Sequence, residues 1–207
     1  MQFRIVVFLK APRPGQVKTR LAASIGQEAA CQAYLELADT FLAQLATFPE
    51  VELRFAPEGA IQEIERFKKH SEWRLKPQGK GDLGQRMERA VEESLAEVDA
   101  VICIGTDCPY VRKTDLDQAI DILSKKDAVL GPALDGGYWA IGLRKPEATL
   151  FQDMPWSTPE VLAITRQRLQ AAGMSFRELR QLEDVDDLGG WNRYVGCASQ
   201  ILNELGF

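Results

Sequence analysis

The sequence has few of the residues needed for a zinc site, a disulfide scaffold or a histidine-based active site. It contains one histidine, His70, and four cysteines, none of which forms a C-x-x-C pair. These counts argue against a structural metal site made of cysteine and histidine. Unpaired thiols are typical of a reducing compartment, so we expect a cytoplasmic protein. No apolar run approaches the roughly 18 residues of a transmembrane helix, so we expect no membrane contact.

An excess of positive charge is also missing. The formal net charge is −5, which argues against a nucleic-acid partner. The 207 residues and the 45% hydrophobic content suit one globular domain spanning residues 1–207.

Against this acidic background, one stretch is strongly basic. After the apolar run Phe3–Leu9, the next residues carry Lys10, Arg13, Lys18 and Arg20, with no acidic residue among them. Prolines and Gly15 predict an irregular loop here. Clustered cations beside a helix start suit a nucleotide di- or triphosphate, and the alternative is a solvated basic turn. Val17 stands where a Walker A motif needs glycine, so a P-loop NTPase fits poorly.

Carboxylates follow two later strands. Asp107 comes directly after the buried strand predicted at Ala100–Ile104, and Asp186 follows the last predicted strand, Phe176–Leu182. Parallel strands end at one edge of a sheet, where ligands bind. We therefore predict that Asp107 and Asp186 hold Mg²⁺ or Mn²⁺. The alternatives are a turn cap for Asp107 and a solvated acidic loop for Asp186; Asp184 is closer to such a loop residue.

The remaining pattern alternates strands and helices, which predicts an α/β protein with a mainly parallel sheet. Thr114 and a Ser157–Glu160 capping box are the predicted starts of two later helices. The Gly79–Gly84 stretch has the spacing of a dinucleotide-binding fingerprint. The strand before it is short and polar, however, so we expect no NAD or NADP site.

Six motifs together resemble a known family over essentially the whole chain. It is a bacterial family of unknown function within the nucleotide-diphospho-sugar transferases, labelled arsenosugar-biosynthesis glycosyltransferase or radical-SAM- and selenodomain-associated transferase. Two of the pieces are also similar to the phospholactate guanylyltransferases. The motifs are Phe8–Leu21, Gly81–Met87, Gly105–Pro109, Gly131–Tyr138, Trp156–Thr158 and Asp184–Asp186.

The resemblance implies a GT-A fold, which is a Rossmann-like, mainly parallel sheet with one antiparallel strand and helices on both faces. It implies catalytic roles for Lys18, Arg20 and Asp107, and metal binding by Asp107 and Asp186. The phosphate and nucleotide contacts it implies are Lys10, Arg13, Gly15, Lys18, Arg20, Gly81, Asp82 and Gly84. The acceptor contacts it implies are Asp135, Gly136, Gly137, Trp156 and Ser157.

Three functions are compatible with these residues. The first is metal-dependent glycosyl transfer from a nucleotide-diphospho-sugar to a small-molecule acceptor, which the family label favours. The second is nucleotidyl transfer from a nucleoside triphosphate to a phosphorylated small molecule, with release of pyrophosphate. The cationic loop and the lack of a D-x-D motif at Asp107 favour this second reaction. The third is a catalytically silent nucleotide-binding module. We choose glycosyl transfer as the working hypothesis.

Overall fold

The structure is a computed structural model that describes residues 1–204, with side chains described through residue 197. The strands are Phe3–Lys10 (β1), Val51–Ala56 (β2), Arg74–Pro77 (β3), Ala100–Gly105 (β4), Ala128–Pro132 (β5), Tyr138–Leu143 (β6) and Phe176–Glu178 (β7). The helices are Thr19–Ile25 (α1), Gln27–Gln44 (α2), Ile61–Ile64 (α3), Leu83–Leu95 (α4), Lys113–Leu123 (α5), Val161–Ala171 (α6) and Leu188–Glu204 (α7). Two short 3₁₀ turns are at Glu65–Phe67 and Ala148–Leu150.

The strands form one seven-stranded sheet in the order β3-β2-β1-β4-β6-β5-β7. β1 pairs in parallel with β2 and β4, and β5 pairs in parallel with β7. β6 is antiparallel to both of its neighbours, β4 and β5. The predicted fold class is therefore confirmed: the sheet is mainly parallel with one antiparallel strand.

The central strands are buried on both faces, which explains their nearly continuous apolar sequence. In β1, Ile5 and Val7 belong to the apolar core that also contains α2 and α5 side chains. Val6, between them, points to the opposite core, which contains side chains of α4 and α6. Because successive side chains of a strand point to opposite faces, β1 contributes to the apolar core on each side of the sheet. None of the helices described in residues 1–204 is long and apolar enough to cross a membrane.

Two of the predicted helix starts are wrong. Thr114 lies inside α5, and the helix start is capped by Asp115, whose Oδ2 accepts a hydrogen bond of 2.7 Å from the Arg112 N–H. The Ser157–Glu160 capping box does not form, because α6 begins only at Val161 and has no side-chain cap. Ser157 instead has a positive φ of 65°, in a turn before the helix. At α5 the Asp115 carboxylate therefore accepts from the backbone at the helix start, whereas no side chain caps α6.

The last predicted strand is shorter than expected. β7 pairs with β5 over only three residues, and Leu182 makes one further parallel bridge to Ala133. The segment then leaves the sheet, and the Val185 N–H donates to the carbonyl of Asp107 at 2.9 Å. This contact fixes the segment after β7 beside the carboxyl end of β4, as the prediction for Asp107 and Asp186 requires.

Candidate functional site

A cleft of about 690 Å³ opens at the carboxyl edge of the parallel strands. This is the edge where open α/β sheets bind ligands, and the volume suits a small-molecule site. Charged side chains of both signs line it. The cations are Lys10, Lys18, Arg20 and Arg86. The carboxylates are Asp107, Asp135, Asp184 and Asp186.

The basic loop is anchored by Val17, whose side chain is buried in the core with 3% of its surface exposed. This burial accounts for the apolar residue at the position where a Walker A motif has glycine. Lys18 follows with φ 46° and ψ 47°, a left-handed conformation that is uncommon for a residue with a side chain. α1 begins at the next residue. The sequence analysis did not predict this seven-residue helix, because it assigned its first residues to the irregular basic loop. The turn directs Lys18 inward and leaves Arg20 at the cleft surface.

Lys18 lies between the two carboxylates that the sequence predicts as metal ligands. Its Nζ is 2.5 Å from Asp107 Oδ1 and 2.9 Å from Asp186 Oδ1, and its side chain is only 2% exposed. Burial alone would lower the pKa of Lys18. The two carboxylates outweigh burial and raise its pKa above the ordinary value, so Lys18 is a buried, charged ammonium. The predicted phosphate ligand is thus also the counter-ion of the predicted metal site.

The other predicted phosphate ligands separate into two groups. Lys10 and Arg20 are exposed and line the cleft. Arg13 and Gly15 lie outside the lining of the cleft. Arg13 forms a fork with Glu63, with Nε to Oε2 at 3.0 Å and Nη2 to Oε1 at 2.6 Å. A carboxylate 50 residues away therefore neutralises one of the four loop cations.

Asp184 is the acidic residue whose environment the sequence did not reveal. It lines the cleft, and burial raises its pKa to about 7, with further increases from Asp107, Asp135 and Asp186 and an opposing effect of Lys18. Asp184 therefore belongs to a group of four interacting carboxylates and is not a solvated loop residue. The sequence feature that could have indicated this role was the Asp-Val-Asp motif, because it places Asp184 two residues from the predicted metal ligand Asp186.

The donor set fits a hard divalent cation. Mg²⁺ and Mn²⁺ prefer carboxylate oxygens, and Mg²⁺ commonly takes only one or two of them together with ligand phosphates and water. Asp107 and Asp186 already converge on one cationic group, the Lys18 ammonium. Within the part of the chain that the structure describes, no group of three or more acidic, histidine or cysteine side chains forms a ready-made metal site. Asp107 and Asp186 are accordingly the residues that could hold the ion.

The predicted acceptor residues define a part of the lining that we call the acceptor wall. Asp135, Gly137, Trp156 and Ser157 all line the cleft. Gly136 does not, and has a structural role: at φ 89° it packs so closely that a Cβ there would lie 2.3 Å from the carbonyl oxygen of Pro159.

An aromatic pair strengthens this wall. Trp156 packs edge-on against the cleft residue Tyr138, with ring centroids 6.4 Å apart. Asp135 Oδ1 accepts a hydrogen bond of 2.9 Å from the Gly137 N–H, which holds the turn after β5 in shape.

The glycine-rich loop before α4 does not place its own predicted residues in the cleft. Asp82 caps α4, and its Oδ1 accepts from the Gln85 N–H at 2.9 Å. Gly84 allows close packing, since a Cβ there would lie 2.3 Å from the carbonyl oxygen of Phe151. Gly81 has φ 104°, which a residue with a side chain rarely adopts. The side chains in this region that do line the cleft were not predicted: Gln78, Leu83, Arg86 and Met87.

Comparison with known proteins identifies the family. The chain belongs to the bacterial family DUF2064, described as "Uncharacterized protein conserved in bacteria", whose model matches residues 40–158. This match covers more than half of the chain and includes the Gly81–Met87, Gly105–Pro109 and Gly131–Tyr138 motifs. The resemblance seen in the sequence is confirmed.

Two individual relatives are similar to this chain in sequence. A candidate nucleotide-diphospho-sugar transferase from Desulfovibrio desulfuricans G20 is 29% identical, with a TM-score of 0.83 over 90% of this chain and 84% of that one. The 2-phospho-L-lactate guanylyltransferase of Methanothermobacter thermautotrophicus is 33% identical over 76 residues, which are 37% of this chain and 34% of the relative. The chain thus matches about a third of that enzyme's length.

A more distant structure shares the fold alone. CMP:2-keto-3-deoxy-manno-octonic acid synthetase complexed with CTP is 12% identical, with a TM-score of 0.61 over 98% of this chain and 100% of that one. The chain therefore has the fold of nucleotide-diphospho-sugar transferases and nucleotidyltransferases.

Proposed function

We propose that this protein is a metal-dependent transferase that moves a glycosyl group from a nucleotide-diphospho-sugar to a hydroxyl group of a small-molecule acceptor. The observation that carries the proposal is the distribution of charge in the cleft. Lys18 forms ion pairs with Asp107 and Asp186, and Arg20, Asp184 and Asp135 line the same cleft.

A leaving diphosphate and its acceptor need different surroundings. Lys18 and Arg20 can donate hydrogen bonds to the diphosphate as negative charge develops on it, which lowers the barrier electrostatically. Asp107 and Asp186 would hold Mg²⁺ or Mn²⁺, which when bound supplies further positive charge for the leaving group. The four carboxylates make this cleft a poor place for an additional phosphorylated acceptor, and a neutral hydroxyl avoids that repulsion.

In the proposed reaction, the bond from the sugar carbon to the diphosphate oxygen breaks, and its electron pair leaves with the diphosphate. The acceptor oxygen bonds to the same carbon and loses its proton. We assign Asp135 to receive that proton, because its carboxylate is exposed in the cleft and only Oδ1 is engaged by the Gly137 N–H. Trp156 and Tyr138 form the wall that limits the access of water.

Nucleotidyl transfer is the second candidate. It is favoured by the 33% identity to a guanylyltransferase over 76 residues. In that reaction an acceptor phosphate attacks the α-phosphorus of a triphosphate, and pyrophosphate leaves. The pairing of Arg13 with Glu63 reduces the positive charge available to a triphosphate and weakens this candidate.

Product analysis separates the candidates. The purified protein is incubated with Mn²⁺ and either nucleotide-diphospho-sugars or nucleoside triphosphates, together with pools of hydroxylated and phosphorylated small molecules. Glycosyl transfer predicts acceptor-dependent release of a nucleoside diphosphate, and Asp135→Asn should slow it. Acceptor-dependent pyrophosphate release from a triphosphate would instead establish the second candidate. Nucleotide binding with no turnover of either donor class would indicate a silent binding module.

A further inference from the structure

Arg86 and Gln78 form a polar pair in the cleft to which the proposed function assigns no role. Both line the cleft, together with the apolar side chains of Leu83 and Met87. Ligand sites combine an apolar lining with a few placed polar groups, and such a lining suits a flat, partly polar ring. The pair lies on the loop and first turns of α4, away from the Asp135 wall in the sequence.

Gln78 has a fixed orientation. It is buried, and its Nε2 donates to the carbonyls of Leu9 at 3.0 Å and Arg54 at 3.1 Å. Because two carbonyls take the amide hydrogens, Oε1 is the atom turned toward Arg86. Arg86 Nη1 donates to this oxygen at 3.2 Å.

Arg86 is held from a second side by the glycine-rich loop. Its Nε donates to the carbonyl of Gly81 at 2.8 Å. The loop reaches this position because Gly79 and Gly81 have φ values of 79° and 104°. The guanidinium is therefore fixed through Nε and Nη1. Among the residues whose side chains the structure describes, Nη2 forms no hydrogen bond or ion pair, so Nη2 and the second hydrogen of Nη1 are the donors for a ligand.

We infer that Arg86 reads the nucleotide base and that Gln78 positions it, so that the cleft selects a base with two adjacent hydrogen-bond acceptors. Guanine presents O6 and N7 side by side, and cytosine presents N3 and O2. Adenine places an amino group beside N7, and uracil places an N–H between its two carbonyls, so neither accepts both donors of an arginine fork. This inference rests on the proposed function, because it takes the cleft to be a nucleotide site.

The test is a binding measurement that needs no turnover. GDP, CDP, ADP and UDP are titrated into the protein by calorimetry in the presence of Mn²⁺. GDP or CDP should bind roughly 5- to 150-fold more tightly than ADP and UDP, the range for a bidentate arginine contact. Arg86→Met should remove the preference, so that GDP and CDP bind no more tightly than ADP and UDP do in the same variant. Arg86→Lys keeps the charge without the fork and should also lose most of the preference.

Arg89→Met is the matched control. Arg89 follows Arg86 by about one helical turn. It donates to the carbonyls of Gln78 and Lys80, both at 3.0 Å, yet it does not line the cleft. Its loss should loosen the same loop and weaken all four nucleotides alike, with the preference kept. If Arg89→Met loses the preference as fully as Arg86→Met does, loop order and not base contact sets specificity, and the inference is wrong.

Base analogues test the same point on the unmodified protein, so the result does not depend on whether a variant folds. If GDP is preferred, IDP should bind like GDP, because it retains O6 and N7. The 7-deaza analogue of GDP should bind more weakly, because it lacks N7. If CDP is preferred, the comparison with UDP is the corresponding test, because uracil has an N–H where cytosine has the acceptor N3.

The outcomes distinguish this inference from the proposed function. Equal binding of the four nucleotides, or a preference for ADP or UDP, overturns base selection by Arg86 and leaves the transferase proposal intact. Failure of all four to bind overturns the nucleotide site itself, and both proposals with it.

Discussion

Replacing Lys18 with methionine tests whether this ammonium balances the charge of the cleft. Methionine keeps much of the length and the apolar stem of lysine and removes the charge. In the unmodified protein, Lys18 Nζ lies 2.5 Å from Asp107 Oδ1 and 2.9 Å from Asp186 Oδ1. The substitution leaves these two carboxylates facing each other beside Asp184, whose pKa is already raised to about 7.

The magnitude follows from burial. Removing one partner of a fully buried ion pair costs about 3–5 kcal/mol. Here the lysine is 2% exposed but the two aspartates are 49% and 44% exposed, so water screens part of the repulsion that remains. We therefore expect Lys18→Met to lower the free energy of unfolding by about 2–3 kcal/mol. For a chain of this size the melting temperature should fall by roughly 4–12 °C.

Divalent ions should reverse the loss. With the ammonium gone, Asp107 and Asp186 no longer have an internal cation, so Mn²⁺ should bind the variant more tightly than it binds the unmodified protein. Ligand binding to the native state raises its stability by mass action. Thermal unfolding followed by circular dichroism, with and without Mn²⁺, should show a larger rise in melting temperature for Lys18→Met.

Lys10→Met is the control, since Lys10 is exposed and forms no ion pair with any residue described in the structure. It should change the unfolding free energy by no more than about 0.5 kcal/mol. Two results would refute the reasoning. One is a Lys18→Met melting temperature equal to that of Lys10→Met, and the other is an equal Mn²⁺ response in all three proteins.

Two further predictions concern other charges. Asp107→Asn should abolish turnover and remove most of the coupling by which metal and nucleotide tighten each other's binding. Titration calorimetry would contradict this if the variant kept full Mn²⁺-dependent tightening of nucleotide binding. At the other end of the sheet, hydrogen bonds from Arg4 and Arg74 lower the pKa of Glu97 from 4.5 to about 2. Since this pKa is lowered by folding, the stabilisation is present above pH 4.5 and is lost as the pH falls toward 2. Glu97→Gln should therefore lower the unfolding free energy at pH 7 and have little effect at pH 2; urea unfolding curves shifted equally at both values would disprove the assignment.

Much of the architecture could be predicted from local sequence. β1 and β4 are nearly continuous apolar runs, a pattern typical of strands that are buried on both faces of a sheet. Once they are parallel neighbours, the loop after β1 and Asp107 after β4 must meet at one edge. The helix starts were less predictable, because several polar residues near a start can supply a cap: Asp115 does so at α5, and no side chain does at α6.

The pairing of charges was decided by the tertiary structure alone. The partners of Lys18 lie far along the chain, Asp186 being 168 residues away, and Arg13 is paired with a glutamate 50 residues distant. The importance of Asp184 depends on its burial among other carboxylates, and that of Arg86 on a loop that folds back to hold it. The sequence by itself determined which charged residues could line the cleft, because the order of strands and loops decides which residues lie at this edge of the sheet. Which of them are neutralised, buried or left facing a ligand depends on distance and desolvation, and these exist only after the chain has folded.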